Sequence, residues 1–284
     1  MTSCLGWSGQ EMKQGKKGSE LSSDIEKCDS RSRSAGNTVG NRPRLYSDLA
    51  AWFHLLTAPH DYQEEAEFYS DLIVEAAIGP VRTVLELGSG GGNNASHMKE
   101  RFTMTLTDFS PEMLEVSRRI NPELTHIQGD MRSLRVDHAQ FDAVFVHDAV
   151  TYLTTEEDIH AMASTAAFHC RPGGSVVVVP DHVWESFTPP YTENGGHDGL
   201  DGRSMRYLMW TTDPDPTDST YVSDFAYLLR ETDGTVRVEY DRHVQGIFSK
   251  SVWIDALTKA GFQTTVQTDP WGPAPVFCGT NRVG

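Results

Sequence analysis

The residues of this chain that could do chemistry fall into two groups. The first is the run Val84-Leu85-Glu86-Leu87-Gly88-Ser89-Gly90-Gly91-Gly92, with Asn93 and Asn94 behind it. Glycines that leave an apolar strand let a ligand approach the backbone, because no Cβ stands in the way. A carboxylate at Glu86, two residues before the first glycine, would repel a pyrophosphate, so a ligand without phosphate suits the turn better. Asp108 ends the next strand, 16 residues after Gly92, where an acid accepts hydrogen bonds from a ribose diol; a helix cap is the competing role. Asp130 and Met131 close a third strand, where a carboxylate and a thioether suit an adenine amino group and ring.

The second group is His147, Asp148, Tyr152, Asp181, His182 and His243, at strand ends or in the segment beyond the fifth strand. Of these, His147, Tyr152 and His243 are the candidates for moving a proton. Cys4, Cys28, Cys170 and Cys278 are scattered without paired spacing, which provides neither a zinc site nor a disulfide framework. The Asp and His spacings offer no metal set, and no metal is expected.

Stepping outward, residues 1–40 hold serines, glycines and mixed charge and read as a disordered tail. Leu45, Leu49, Trp52, Phe53 and Leu56 recur at helical spacing, and a second helix is expected from a cap at Asp61 to Ala76. Both would cover one end of a sheet, with Tyr46, Trp52 and Tyr62 as ligand contacts or plain packing. Strand and helix then alternate: 83–87, 104–108, 124–128 and 141–146 are strand-like, Ser110-Pro111 opens one helix, and Thr154 with Glu157 makes a capping box for another. The run Ser175-Val176-Val177-Val178-Val179 lacks alternation, which implies burial on both faces and hence a parallel sheet between helices. After it the rhythm changes. Ser204–Thr211, Tyr221–Arg230 and Thr235–Phe248, the last two joined by Asp233-Gly234, predict a small antiparallel sheet laid over the open end. Ser249 caps a final helix, and 262–268 and 276–280 close the fold. The resulting division is 1–40 tail, 41–180 helical cover plus cofactor core, 181–248 inserted lid and 249–284 closing helix and strands.

The charge balance is 40 acids against 24 bases, a net −16. That argues against a nucleic-acid partner, whose phosphates need Lys and Arg; it suits a neutral or cationic small molecule or serves solubility alone. The longest apolar run, Leu49 to Phe53, is far too short to span a bilayer, and no apolar signal core is evident. A cytoplasmic protein without membrane partners is expected. Nothing in the sequence argues against a homo-oligomer.

The ordered set Glu86-x-Gly88-x-Gly90-x-Gly92, Asp108, Gly129-Asp130-Met131, Phe141-Asp142 and Arg171-Pro172-Gly173-Gly174 resembles the class I S-adenosylmethionine-dependent methyltransferases. The resemblance is strong over about residues 80 to 180. It implies a Rossmann-like α/β fold, a seven-stranded mostly parallel sheet with flanking helices and the inserted antiparallel β lid. It also implies S-adenosylmethionine across the strand ends. The methionine moiety falls to Gly88 and His147, the ribose to Asp108, and the adenine to Asp130 and Met131. Ser89, Gly90, Glu86, Phe109, Met113, Tyr46 and Tyr62 complete the expected cofactor shell. The leading helices with His60-Asp61-Tyr62, the lid, and Asp241-x-His243 with Phe248 resemble more narrowly the small-molecule methyltransferases of antibiotic and deoxysugar pathways. Several of those methylate amines. Trp52, Tyr152, Asp181, Trp210 and His243 are the expected acceptor contacts. Transfer to an amine leads. Transfer to a hydroxyl through a His or Asp base, a non-catalytic cofactor-binding regulator, and a nucleotide-linked oxidoreductase are the alternatives.

Overall fold

The computed structural model describes residues 42–136 and 140–282, so the expected tail at 1–40 lies outside the described residues. The centre is a sheet of seven strands. In chain order these are β1 (Thr83–Leu87), β2 (Thr103–Asp108), β3 (Thr125–Gln128), β4 (Phe141–His147), β5 (Cys170–Val179), β10 (Phe262–Gln267) and β11 (Val276–Asn281). Their spatial order is β10-β11-β5-β4-β1-β2-β3, with β1 to β5 parallel and β11 antiparallel to both neighbours. Val176, Val177 and Val178 have no exposed surface, as the unalternated valine run requires. Helices α2 (Gln63–Glu75), α3 (Asn93–Met98), α4 (Pro111–Ile120), α5 (Glu156–His169) and α6 (Lys250–Lys259) flank it. One apolar core lies where α5 and α6 meet the sheet, through Ile159, Met162 and Trp253 among others. A second joins α2 and α3 to the opposite face, through Tyr69, Ile73 and Met98.

The four strands between β5 and α6 form their own antiparallel sheet, β6 (Tyr191–Gly195), β7 (Ser204–Thr212), β8 (Thr220–Arg230) and β9 (Val236–Gly246), ordered as in sequence. The short β6 was not legible in the sequence. The β8–β9 hairpin closes through Glu231 N–H to Thr235 O, with Gly234 at φ +86°, as Asp-Gly demands. Inward positions alternate cleanly along this sheet: Met205, Tyr207, Met209 and Thr211 on β7 turn in, while Arg206, Leu208 and Trp210 turn out.

Several local expectations need correction. The leading segment is three short turns, Arg44–Tyr46, Ala50–Trp52 and α1 (Phe53–Leu56), instead of one continuous helix. Ser47 breaks it with φ −139° and ψ −105°, and the freed Leu45 N–H donates to Asp241 Oδ2 at 2.9 Å. The apolar spacing still works, because Leu45, Leu49, Trp52 and Leu55 pack on Met205, Tyr227 and Leu229 of the small sheet. Asp61 caps nothing. A three-ten turn, Pro59–Tyr62, leads into α2, and Asp61 pairs instead with His60 and His197. The cap of α5 is Thr155, accepting from Asp158 N–H, one residue beyond the expected Thr154 and Glu157. Ser249 stands at the N-cap of α6 but bonds the Ser251 hydroxyl at 2.7 Å and caps no backbone N–H, whereas Ser110 does accept from Met113 N–H as expected.

The Phe141-Asp142 and Arg171-Pro172-Gly173-Gly174 motifs sit at the strand ends away from the glycine loop. Asp142 accepts from Arg171 Nε at 2.5 Å and from the Arg82 and Thr83 backbone. Partial burial works against ionisation there, yet Arg171 and the backbone donors hold the carboxyl down at about 2. This is an architectural clamp between β4 and the loops below it.

Candidate active site

β1 and β4 are neighbours whose connections leave in opposite directions, so a crevice opens above their carboxyl ends. A single cavity of about 660 Å³ occupies it and runs from the glycine loop to the inner face of the small sheet.

At one end the chain is shaped by backbone. Gly88, Gly90 and Gly92 have φ of +77°, +52° and +77°. A Cβ on Gly88 would overlap the Ala149 methyl, and one on Gly91 would strike the Phe53 ring. Asp108 spans the loop: Gly90 N–H and Ser110 N–H each donate to one of its carboxylate oxygens at 2.8 Å. Each oxygen keeps a further lone pair for a ligand. Glu86 is 4% exposed, and its Oε2 has no partner; the Ser89 hydroxyl is likewise buried and unpaired. Burial, and secondarily Asp108, pushes the Glu86 carboxyl up to about 8. These orphaned atoms fit a ligand that brings hydrogen-bond donors or positive charge and no phosphate. Asp130 lines the cavity but is held by Arg132 at 2.6 Å; Met131 and the exposed Phe109 lie beside it. Tyr62 also lines it, its hydroxyl accepting from Thr57 Oγ1 at 2.7 Å.

In the middle stands His147 at the end of β4, stacked on Phe145. Asn94 Nδ2 donates to its Nδ1 at 3.3 Å, so the ring proton sits on Nε2, 3.2 Å from both Glu65 Oε1 and Asp148 Oδ1. Burial lowers the His147 pKa despite Glu65, which favours that neutral ring. Asp148 follows at φ +46°, the lone non-glycine residue with positive φ among the described residues. Such a conformation costs about 1–3 kcal/mol and is held here by Asp148 N–H to Val179 O. The enclosure between sheet and lid, then Glu65, raises the Asp148 carboxyl to about 7, and Asp181 beside it is raised too, by burial and by Asp148. Half of the Asp148 side chain (53%) still faces the open cavity, where solvent screens its charge.

At the far end a chain of hydrogen bonds crosses from cover to lid. Tyr46 and Tyr152 hydroxyls are 2.9 Å apart, Tyr152 O–H reaches His243 Nδ1 at 2.7 Å, and His243 Nε2–H donates to Asp241 Oδ2 at 3.0 Å. His243 and Asp241 are both buried. Burial opposes ionisation of Asp241, but the bonds from His243 and Leu45 keep its pKa low, so a carboxylate backs the imidazole.

Three expected contacts are elsewhere. Trp52 is buried in the seam between cover and lid, under the Arg203 and Arg237 guanidiniums, because its neighbours on that face are apolar. Trp210 is 54% exposed on the outer face of the lid, having the wrong parity along β7. Met113 is buried against Ala50 and Val116, behind the glycine loop. Conversely, Glu65, Tyr221, Gln245 and Asp269 line the cavity without having been singled out, and Asn94 joins them from behind the glycine run. Alternation along β8 and β9 would have found Tyr221 and Gln245; nothing local marks Glu65. The structure also brings His197 to the consecutive His60 and Asp61, with the ligand atoms of all three within 4.8 Å of one another near the surface. Sequence spacing could not have disclosed that trio.

A seven-stranded sheet with this strand order, a glycine loop after β1 and an acid at the tip of β2 defines a Rossmann-like cofactor-binding fold. Comparison with known proteins specifies it further. Residues 84–174 match the methyltransferase domain family. A dTDP-3-amino-3,4,6-trideoxy-alpha-D-glucopyranose N,N-dimethyltransferase of Streptomyces venezuelae is 34% identical over 128 residues, 45% of this chain. That match spans about half (54%) of the relative's length. A dTDP-3-amino-3,6-dideoxy-alpha-D-glucopyranose N,N-dimethyltransferase of Streptomyces fradiae is 25% identical over 215 residues, 75% of this chain and 82% of the relative. The crystal structure of Streptomyces venezuelae DesVI superposes with a TM-score of 0.72 at 26% identity, over 82% of this chain and 97% of that one. Residues 84–174 thus carry a methyltransferase domain, and the chain is similar in sequence and fold to S-adenosylmethionine-dependent methyltransferases. No described helix is long and apolar enough to cross a membrane.

Proposed function

We propose that the protein methylates the amine nitrogen of a small molecule, with 181–248 serving as the lid over the acceptor. The observation that carries this reading is the run of carboxylates at the acceptor end, Glu65, Asp148 and Asp181, which draws a protonated amine to the mouth of β4. The two curated relatives above, named as amino-sugar dimethyltransferases, support it.

The cofactor, when bound, supplies a methyl group already activated on a sulfonium. Glu86 and Ser89 offer unpaired acceptors for its donors, the Gly88 to Gly92 turn gives it room, and Asp108 takes the ribose. Asp130 with Met131 serves the adenine, and Tyr46, Tyr62 and Phe109 border it. The protein's remaining work is to align the acceptor and exclude water. An amine reacts only as the free base, so one proton must leave before attack and a second leaves the product. The Tyr152–His243–Asp241 chain can take such a proton: Tyr152 O–H passes its hydrogen to His243 Nδ1, and Asp241 stabilises the imidazolium. His147, neutral with its proton on Nε2, orients Glu65 and Asp148.

The same chain favours a second reading, a hydroxyl acceptor, which needs a base of this form. Labelled S-adenosylmethionine offered with matched amine and hydroxyl panels separates the two; transfer confined to hydroxyls overturns the amine reading. The reaction would run in the cytoplasm, in keeping with the free, buried thiols of Cys170 and Cys278.

A further inference from the structure

We infer that the acceptor is a cationic, phosphate-free amine and not a nucleotide-linked one. The inference rests on the N-methylation reading and goes against what the names of the two curated relatives would suggest.

Eight carboxylates line the cavity, against two arginines and no lysine. Both arginines are already engaged at the cofactor end. Arg42 bonds Glu112 at 3.1 Å and lies over Phe109, while Arg132 bonds Asp130 at 2.6 Å and Asp158 at 3.0 Å. The lid offers no replacement. Its residues at the cavity include Tyr191, Glu193, Tyr207, Tyr221, His243 and Gln245, with no lysine or arginine among them. Arg206 and Arg242 have outward parity and pair with Asp198 and Asp224, and Arg237 is engaged with Trp52 and Glu231. A diphosphate entering here would meet Glu65, Asp148, Asp181 and Asp269 with no cation to neutralise it.

The acidic wall alone would not define a ligand. Within the same cavity, however, the Tyr221 hydroxyl and Gln245 Oε1 are more than nine-tenths buried and have no partner. Buried polar atoms of this kind are normally satisfied. A hydroxyl-bearing amine satisfies them while its ammonium meets Asp148 and Asp181, as on an amino sugar or aminocyclitol. Enclosure raises both carboxyls in the empty cavity, which is the expected behaviour of two acids awaiting a cation.

The test uses the full chain saturated with S-adenosylhomocysteine, at low ionic strength. Four probes are added separately: 1,3-diaminopropane, the methyl glycoside of a 3-amino-3-deoxy sugar, dTDP and inorganic pyrophosphate. Either amine should raise the melting temperature, and dTDP and pyrophosphate should not. Asp181→Asn should weaken the amine effect about tenfold in midpoint concentration, with S-adenosylhomocysteine affinity unchanged. In turnover, the free amino sugar should exceed its dTDP ester by roughly 100-fold in kcat/KM. Stabilisation by dTDP, preference for the dTDP ester, or no stabilisation by any amine overturns the inference. Methyl transfer only to hydroxyl acceptors would sink the N-methylation reading instead, and the melting shifts would still report on the charge of the site.

Discussion

The two ends of this one cavity are built by different means. The cofactor end is made of local sequence: a strand, a glycine turn shaped by its backbone, and one acid at the next strand tip. The other end is assembled from side chains on the leading turns, α2, β4, β8 and β9, elements drawn from along most of the chain. The first tolerates almost no change of shape, while the second depends on which side chains the lid brings inward. Perturbations should therefore separate cleanly into loss of cofactor binding and loss of transfer.

The largest effect is expected from Gly88→Val, which adds a β-branched side chain at φ +77° against Ala149 and Met131. Affinity for S-adenosylhomocysteine, measured by calorimetry, should fall by more than about 100-fold. Near-wild-type binding would break the contrast at its strongest point. At the other end, Tyr152→Phe and His243→Ala should each lower kcat by roughly 100-fold and leave cofactor affinity within about twofold. A parallel loss of affinity would mean that the two ends are not independent.

Glu86 offers a sharper, pH-resolved probe. Its folded pKa lies near 8, above the ordinary carboxylate value, so its neutral form favours the apo protein at low pH. That contribution is complete below about 4.5 and is lost as pH rises through 8. A cationic cofactor should ionise it, releasing a proton on binding near pH 7 and tightening affinity as pH rises towards 8. Calorimetry in two buffers of different ionisation enthalpy reads that proton directly, and Glu86→Gln should abolish it at a cost of about tenfold in affinity. Trp210→Ala, on the outer face of the lid, should change either property by less than about twofold. A larger change would place that face in contact with the acceptor after all.

The same contrast explains what the sequence made legible. The parallel sheet follows from the unalternated valines and the strand–helix order, and the cofactor end from the ordered Glu86, glycines and Asp108, because these are local signals. The other end depends on strand parity and on pairings such as Tyr221 opposite Gln245, fixed only once the register of the small sheet exists. Trp210 lies one position of parity from the inward face, and Trp52 takes the packing role that its apolar neighbours left open beside a ligand contact. Glu65 went unnoticed because an acid in the first turn of a helix ordinarily needs no further explanation.

Asp241 accepts from His243 Nε2 and from Leu45 N–H with the same Oδ2, and Tyr46, one residue later, touches Tyr152. The leading turns and the lid are thus latched to the proton path by two adjacent residues. Any opening wide enough to admit or release an acceptor between them takes away the Asp241 donor and the Tyr46 contact together. The proposed relay Tyr152–His243–Asp241 is thus backed by the leading turns only while the chamber is shut, so closure and the alignment of the relay share one catch.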